Sequence, residues 1–136
     1  MCAFFPTMTG NSRALRVLVV EDELLIRWAI TETLAHAGHT VIEATDGATA
    51  VMALKNDGKR VDAVVLDYRL PDSNDLTLLA TVRLLSPKSA VVLMTAFGTP
   101  EVVKGALDLG VYHVLHKPFE MHDLESLLLE ACGRGS

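Results

Sequence analysis

Val61-Asp62-Ala63-Val64-Val65-Leu66-Asp67 is an apolar run that stops abruptly on a carboxylate. The unbroken apolar residues from Ala63 to Leu66 read as a strand buried on both faces, the pattern of a central strand in a parallel sheet. Asp67 then stands at the carboxyl end of a strand over 61–66, the edge of an open α/β sheet where ligands bind. Two more apolar strands run into polar residues, the first of them acidic. Arg16-Val17-Leu18-Val19-Val20 runs into Glu21-Asp22-Glu23, and Ala90-Val91-Val92-Leu93-Met94 runs into Thr95-Ala96.

Between these strands the apolar period changes to that of helices. Ile26, Ile30, Leu34 and Ala37 share one face of a helix over 24–37, and Gly38 takes the left-handed C-cap position. Thr40 to Ala44 is a short strand. Asp46 caps a helix running to about Asn56 with Ala50, Val51 and Leu54 facing inward, before a turn at Asp57-Gly58-Lys59. Asn74 or Asp75 caps a third helix carrying Leu76, Leu79 and Val82, closed by Ser86-Pro87. Thr99 and Pro100 start a fourth helix that runs to about Leu109. Gly105 inside it costs roughly 1 kcal/mol relative to alanine, so this helix is expected to be the least rigid. Tyr112 to His116 is the last strand, and Leu124, Leu127, Leu128 and Ala131 mark the inner stripe of the last helix. Five strands alternating with five helices predict an α/β fold with a doubly wound parallel sheet and right-handed crossovers.

The bulk composition narrows the function. The chain has 136 residues, 12 Lys+Arg against 17 Asp+Glu and a formal charge of −5, and no basic run follows a phosphate backbone, so direct nucleic-acid binding is not expected. No apolar segment approaches the ~20 residues that span a bilayer. Cys2 and Cys132 form no metal-ligand spacing and read as free thiols in a reducing, cytoplasmic compartment. Residues 1–14 read as a loose leader, 15–132 as one domain and 133–136 as a tail.

The strand ends carry the chemistry. Glu21 and Asp22, Asp67, Thr95 and Lys117 fall at the ends of strands one, three, four and five, so a parallel sheet brings them to one edge. Taken singly, the acidic triplet reads as a complement to a helix dipole, Asp67 as a turn cap and Lys117 as a solvated charge. Packing requires no such joint placement. Three converging carboxylates repel unless a cation sits among them, and Mg²⁺, which keeps waters and accepts a partial set of carboxylates, fits best. A hydroxyl and an ammonium beside them would bind the oxygens of an acyl phosphate formed on Asp67.

The motifs Val19-Val20-Glu21-Asp22, Leu66-Asp67 with Pro71, Met94-Thr95-Ala96 and Lys117-Pro118-Phe119 resemble those of response regulator receiver domains, in their order and at about their spacing, over roughly residues 15–132. The resemblance implies a flavodoxin-like sheet of order 2-1-3-4-5. It implies that Asp67 takes a phosphoryl group from a phosphohistidine on a sensor histidine kinase or phosphotransfer protein. Asp22, Asp67 and the backbone carbonyl of Arg69 would hold Mg²⁺, with Glu21 acting directly or through water. Thr95 and Lys117 would bind the phosphoryl oxygens, and Pro71, Ala96 and Pro118 would support the loops around them. Movement of Thr95 would then remodel the surface of the fourth helix, fifth strand and fifth helix, where a downstream protein, an output domain or a second copy in a phosphorylation-dependent dimer is gained or lost.

The sequence departs from the family pattern in places. Val114, three before Lys117, stands where the family usually has an aromatic switch residue, with Tyr112 two residues earlier on the same alternating face. Asp75 replaces a common glycine eight after Asp67. Phe97 and Arg69 flank the expected path of the hydrolytic water, and bulky Phe97 is expected to slow loss of the phosphoryl group. Two rival readings are a phosphorylation-independent protein-binding module, which Val114 and Asp75 keep open, and a phosphatase of the haloacid dehalogenase type, which Arg69 disfavours because that class carries a second aspartate there. His113 and His116 point to opposite faces of their strand, which argues against a metal site. Trp28 reads as packing or a partner contact.

Overall fold

The structure is a computed structural model that describes residues 14–56 and 60–133. The elements alternate strictly: β1 (Arg16–Val20), α1 (Leu24–His36), β2 (Thr40–Ala44), α2 (Gly47–Asn56), β3 (Ala63–Asp67), α3 (Thr77–Leu85), β4 (Ala90–Thr95), α4 (Pro100–Asp108), β5 (His113–His116) and α5 (Met121–Gly133). All strand pairs are parallel, in the order β2-β1-β3-β4-β5. This is the doubly wound fold expected from the alternation of apolar runs and helical stripes.

The central strands alternate their side chains between two cores. On one face Leu18, Val20, Val64, Leu66, Leu93 and Val114 pack with Ala50 of α2, Leu79 and Val82 of α3 and Ala106 of α4. On the other, Val17, Val19, Val65, Val92 and Met94 pack with Ile30 and Leu34 of α1 and with Leu124 and Leu128 of α5. Each such large side chain is worth about 1.5–3 kcal/mol when fully buried. Every residue of β3 is buried, as a central strand requires. Gly38 and Gly110 end α1 and α4 with φ of 94° and 92°, the left-handed conformation that glycine adopts without a Cβ clash.

Several boundaries differ from the expectation, each for a physical reason. The third strand begins at Ala63 and includes Asp67, because Asp62 turns its carboxylate to the Arg16 amide at 2.8 Å instead of extending the strand. Neither Asn74 nor Asp75 is the N-cap of α3. That position is Leu76, whose side chain makes no cap bond, while Asp75 Oδ1 accepts from the Thr77 amide at 2.9 Å one residue outside the cap. Ala37 is not on the buried stripe but is the exposed C-cap of α1. Tyr112 precedes β5, although its amide still donates to the Val91 carbonyl at 2.8 Å. The caps expected for α2 and α4 are present: Asp46 Oδ1 accepts from the Thr49 amide and Thr99 Oγ1 from the Val102 amide.

Gly105 has a packing role that propensity alone does not show. A Cβ there would lie 2.6 Å from Leu76 Cδ1, so the glycine lets the start of α3 sit directly on α4. The turn expected at Asp57-Gly58-Lys59, the leader with Cys2, and residues 134–136 lie outside the described residues. Among the described residues, no helix is long and apolar enough to cross a membrane.

Candidate functional site

The parallel register delivers the expected side chains to one edge. Val20 pairs with Leu66, Asp67 with Met94, and Thr95 with His116, so the chain leaves β1, β3, β4 and β5 at nearly one level. Glu21 and Asp67 are buried there, Thr95 is buried beside them, and Asp22 is exposed at the rim. Carboxylate oxygens of Glu21, Asp22 and Asp67 all lie within 4.8 Å of one another. Lys117 reaches in from the end of β5, its Nζ 2.8 Å from Glu21 Oε1 and 3.1 Å from Asp67 Oδ1.

These contacts set the protonation of the site. Burial pushes the Asp67 carboxyl up and the neighbouring Glu21 carboxylate pushes it further, while Lys117 offsets only part of this, so it rests at about 7. Burial alone would pull the Lys117 ammonium down, but its bonds to Glu21 and Asp67 outweigh that and hold it above its ordinary value. One ammonium therefore serves a cluster of three carboxylates and leaves it short of positive charge. The all-oxygen donor set and its open rim at Asp22 suit a hard divalent cation such as Mg²⁺.

The remaining expected residues surround this cluster. Arg69 is exposed in the loop directly after Asp67, and Pro71 lies in the turn closed by reciprocal backbone bonds between Leu70 and Ser73. Ala96 is exposed after β4 and Pro118 after β5, where the Lys117–Pro118 peptide bond is cis. Thr95 Oγ1 accepts from the Phe97 amide at 3.2 Å, and Phe97 itself is 72% exposed. Val114 is buried under α4 and not at the site rim.

Two contributors had no signal in the spacing of motifs. Arg27, one turn into α1, donates through Nη1 to the Glu21 carbonyl at 3.0 Å and through Nε to Glu43 of β2 at 2.9 Å, tying the acidic loop down from behind. Asp72 accepts from the amides of Gly47 and Ala48 at 2.8 and 3.0 Å, so the loop after β3 caps α2 across the top of the sheet. An acidic residue after Pro71 reads only as a turn former until the fold brings α2 to it.

The comparisons with known proteins agree with this geometry. The response regulator receiver domain family matches residues 17–129. The transcriptional regulatory protein TcrA of Mycobacterium tuberculosis is 36% identical over 126 residues, covering 93% of this chain but 49% of that protein. The chain thus spans about half the length of that relative. Protein CcdB of Bacillus subtilis is 35% identical over 120 residues, covering 88% of this chain and 95% of that protein. Among solved structures, a Borrelia burgdorferi CheX–CheY–BeF3–Mg²⁺ complex superimposes with a TM-score of 0.78 at 26% identity, covering 85% of this chain and 87% of that one. With the acidic cluster, the strand order and the matched span in agreement, the chain belongs to the response regulator receiver domains of two-component systems, a family of phosphoryl-accepting signalling switches.

Proposed function

We propose that Asp67 is the phosphoacceptor of a signalling switch, charged from a phosphohistidine on a sensor histidine kinase or phosphotransfer protein. The observation that carries this is the bridge of Lys117 between Glu21 and Asp67 beside the three converging carboxylates. In the transfer, an Asp67 oxygen attacks phosphorus in line with the leaving imidazole. A P–O bond forms and the P–N bond breaks, its electron pair staying on the imidazole nitrogen, which takes up a proton. Asp22, Asp67 and the backbone carbonyl of Arg69 would hold Mg²⁺, with Glu21 acting directly or through water, and the ion would supply positive charge against the phosphoryl oxygens.

The chain's own residues do the rest. Lys117 already points its ammonium at Asp67 and donates to the incoming oxygens without reorganisation. Arg27 keeps the backbone of Glu21 in place while the carboxylates change partners. Thr95 donates its hydroxyl to a phosphoryl oxygen, and its present bond from the Phe97 amide then weakens, freeing the loop that leads into α4. Pro71, Ala96 and Pro118 shape the loops around the phosphoryl group, and Phe97 and Arg69 screen it from attacking water.

The switched surface is α4, β5 and α5, read by a downstream protein, an output domain or a second copy of the chain. The protein acts in the cytoplasm, with residues 15–132 as the receiver and no small-molecule substrate of its own. To test this, the protein is incubated with Mg²⁺ and acetyl phosphate, or with beryllofluoride as a mimic, and wild type is compared with Asp67→Ala by intact mass. An adduct that requires Asp67 is expected, with a change in partner or dimer formation. No Asp67-dependent adduct would sink the proposal, and turnover of a small phosphate ester unlinked to partner binding would favour a phosphatase.

A further inference from the structure

We infer that His116, not residue 114, is the positioning residue that carries the state of Thr95 to α4 in this protein. The inference rests on Asp67 being the phosphoacceptor. Along β5 the side chains alternate, so Val114 and His116 share the face that packs under α4, and His116 pairs in register with Thr95. Val114 is a small β-branched residue, already buried in the core with Ala106, and its side chain is restricted at χ1 and has no ring to swing between two positions. His116 is exposed at the rim, and its ring lies against the backbone of the loop between β4 and α4. A Cβ placed on Gly98 would be 2.5 Å from His116 Nε2, 3.0 Å from its Cδ2 and 3.3 Å from the Thr95 methyl group.

The ring and the Thr95 methyl group therefore both lie against Gly98, with only a hydrogen on Gly98 between loop and imidazole. The next bond in the same loop joins the Phe97 amide to Thr95 Oγ1. When Thr95 turns its hydroxyl to a phosphoryl oxygen, Phe97 and Gly98 lose that tether. The loop then cannot shift toward β5 without displacing the ring, nor away from β5 without opening a gap beside it. The His116 ring is thereby coupled to the loop that feeds Pro100, the first residue of α4.

The test uses the whole chain and beryllofluoride with Mg²⁺, read by intact mass and by NMR of the imidazole and α4 amide resonances. On adduct formation the His116 ring signals should move while those of His39, buried at the other end of the sheet, stay put. His116→Ala should form the adduct as readily as wild type yet show smaller shifts at Val102, Val103 and Lys104, and His116→Phe should restore them. Gly98→Ala should displace the ring without any adduct and move those α4 amides in the direction seen on activation. An adduct that leaves the His116 signals unmoved, or α4 shifts that are unchanged in His116→Ala, would overturn the inference while leaving the phosphoacceptor intact. Absence of any Asp67-dependent adduct, seen by mass, would overturn both.

Discussion

The two ends of the sheet hold buried polar groups in opposite ways. At the end where the strands begin, each group ties itself to the backbone: His39 Nδ1 accepts from the Leu15 amide at 2.9 Å, half-buried Asp62 from the Arg16 amide at 2.8 Å, and Ser89 Oγ, which also meets the Ser86 hydroxyl, donates to the Val61 carbonyl at 2.6 Å. Arg83 adds a bond to the Ser89 carbonyl at 3.0 Å. At the end where the strands finish, side chain faces side chain, with Glu21, Asp22 and Asp67 crowded around one ammonium. Backbone partners are fixed by the fold, so the first arrangement has one state. Carboxylates that face one another repel, so the energy of the second arrangement changes whenever a proton or a cation enters it.

Lys117→Met should have the largest effect, since it removes the only cation that contacts Glu21 and Asp67 among the described residues and leaves two buried carboxylates uncompensated. A loss of roughly 3 kcal/mol at pH 8 is expected in chemical denaturation, and Mg²⁺ should recover part of it. A neutral result would mean that water already screens the cluster.

Next in size is the gain from removing the crowded carboxylate. Because burial and Glu21 raise Asp67 to about 7 in the folded protein, against 3.8 as its ordinary value, its contribution to stability is fully present below pH 4 and is lost as pH rises through 7. Asp67→Asn, which does not titrate, should therefore gain on wild type above that pH, raising Tm at pH 8 by about 5–10 °C for about 2 kcal/mol. Below pH 4 the two proteins should converge. A variant that melts alike at both values would remove the electrostatic stress from the description of this edge.

Ser89→Ala probes the opposite end. It strips the donor from the buried Val61 carbonyl and should cost about 1–2 kcal/mol, with Asp67 phosphorylated at an unchanged rate. If the rate fell with stability, the two ends would not be separable. Phe97→Ala should have the smallest effect, a several-fold faster loss of the phosphoryl group, equivalent to about 1 kcal/mol. A rate no faster than wild type would show that the ring, 72% exposed, does not stand in the path of water.

What the sequence made legible follows the same division. Apolar runs and the polar residues that close them gave the central strands and the residues at their tips, because period and position along one strand are local properties. The convergence of Glu21, Asp22, Asp67, Thr95 and Lys117 then followed from parallel topology. Contacts set by how neighbouring elements pack were not legible: Arg27 on the Glu21 carbonyl and Glu43, Asp72 on the start of α2, Leu76 against Gly105, and the His116 ring on Gly98. No spacing rule encodes them, since each depends on how two helices or loops pack over the sheet. The start of α3 was misplaced for the same reason, with Leu76 drawn onto α4 and Asp75 left to satisfy the Thr77 amide from outside the cap.

The most direct measurement is an NMR titration of the Asp67 carboxyl carbon with and without Mg²⁺. A midpoint near 7 is expected in metal-free protein, falling when Mg²⁺ is added because a cation among the carboxylates favours the charged form. A midpoint near the ordinary value in metal-free protein, with no response to Mg²⁺, would show that Asp67 is neither crowded nor part of a cation site.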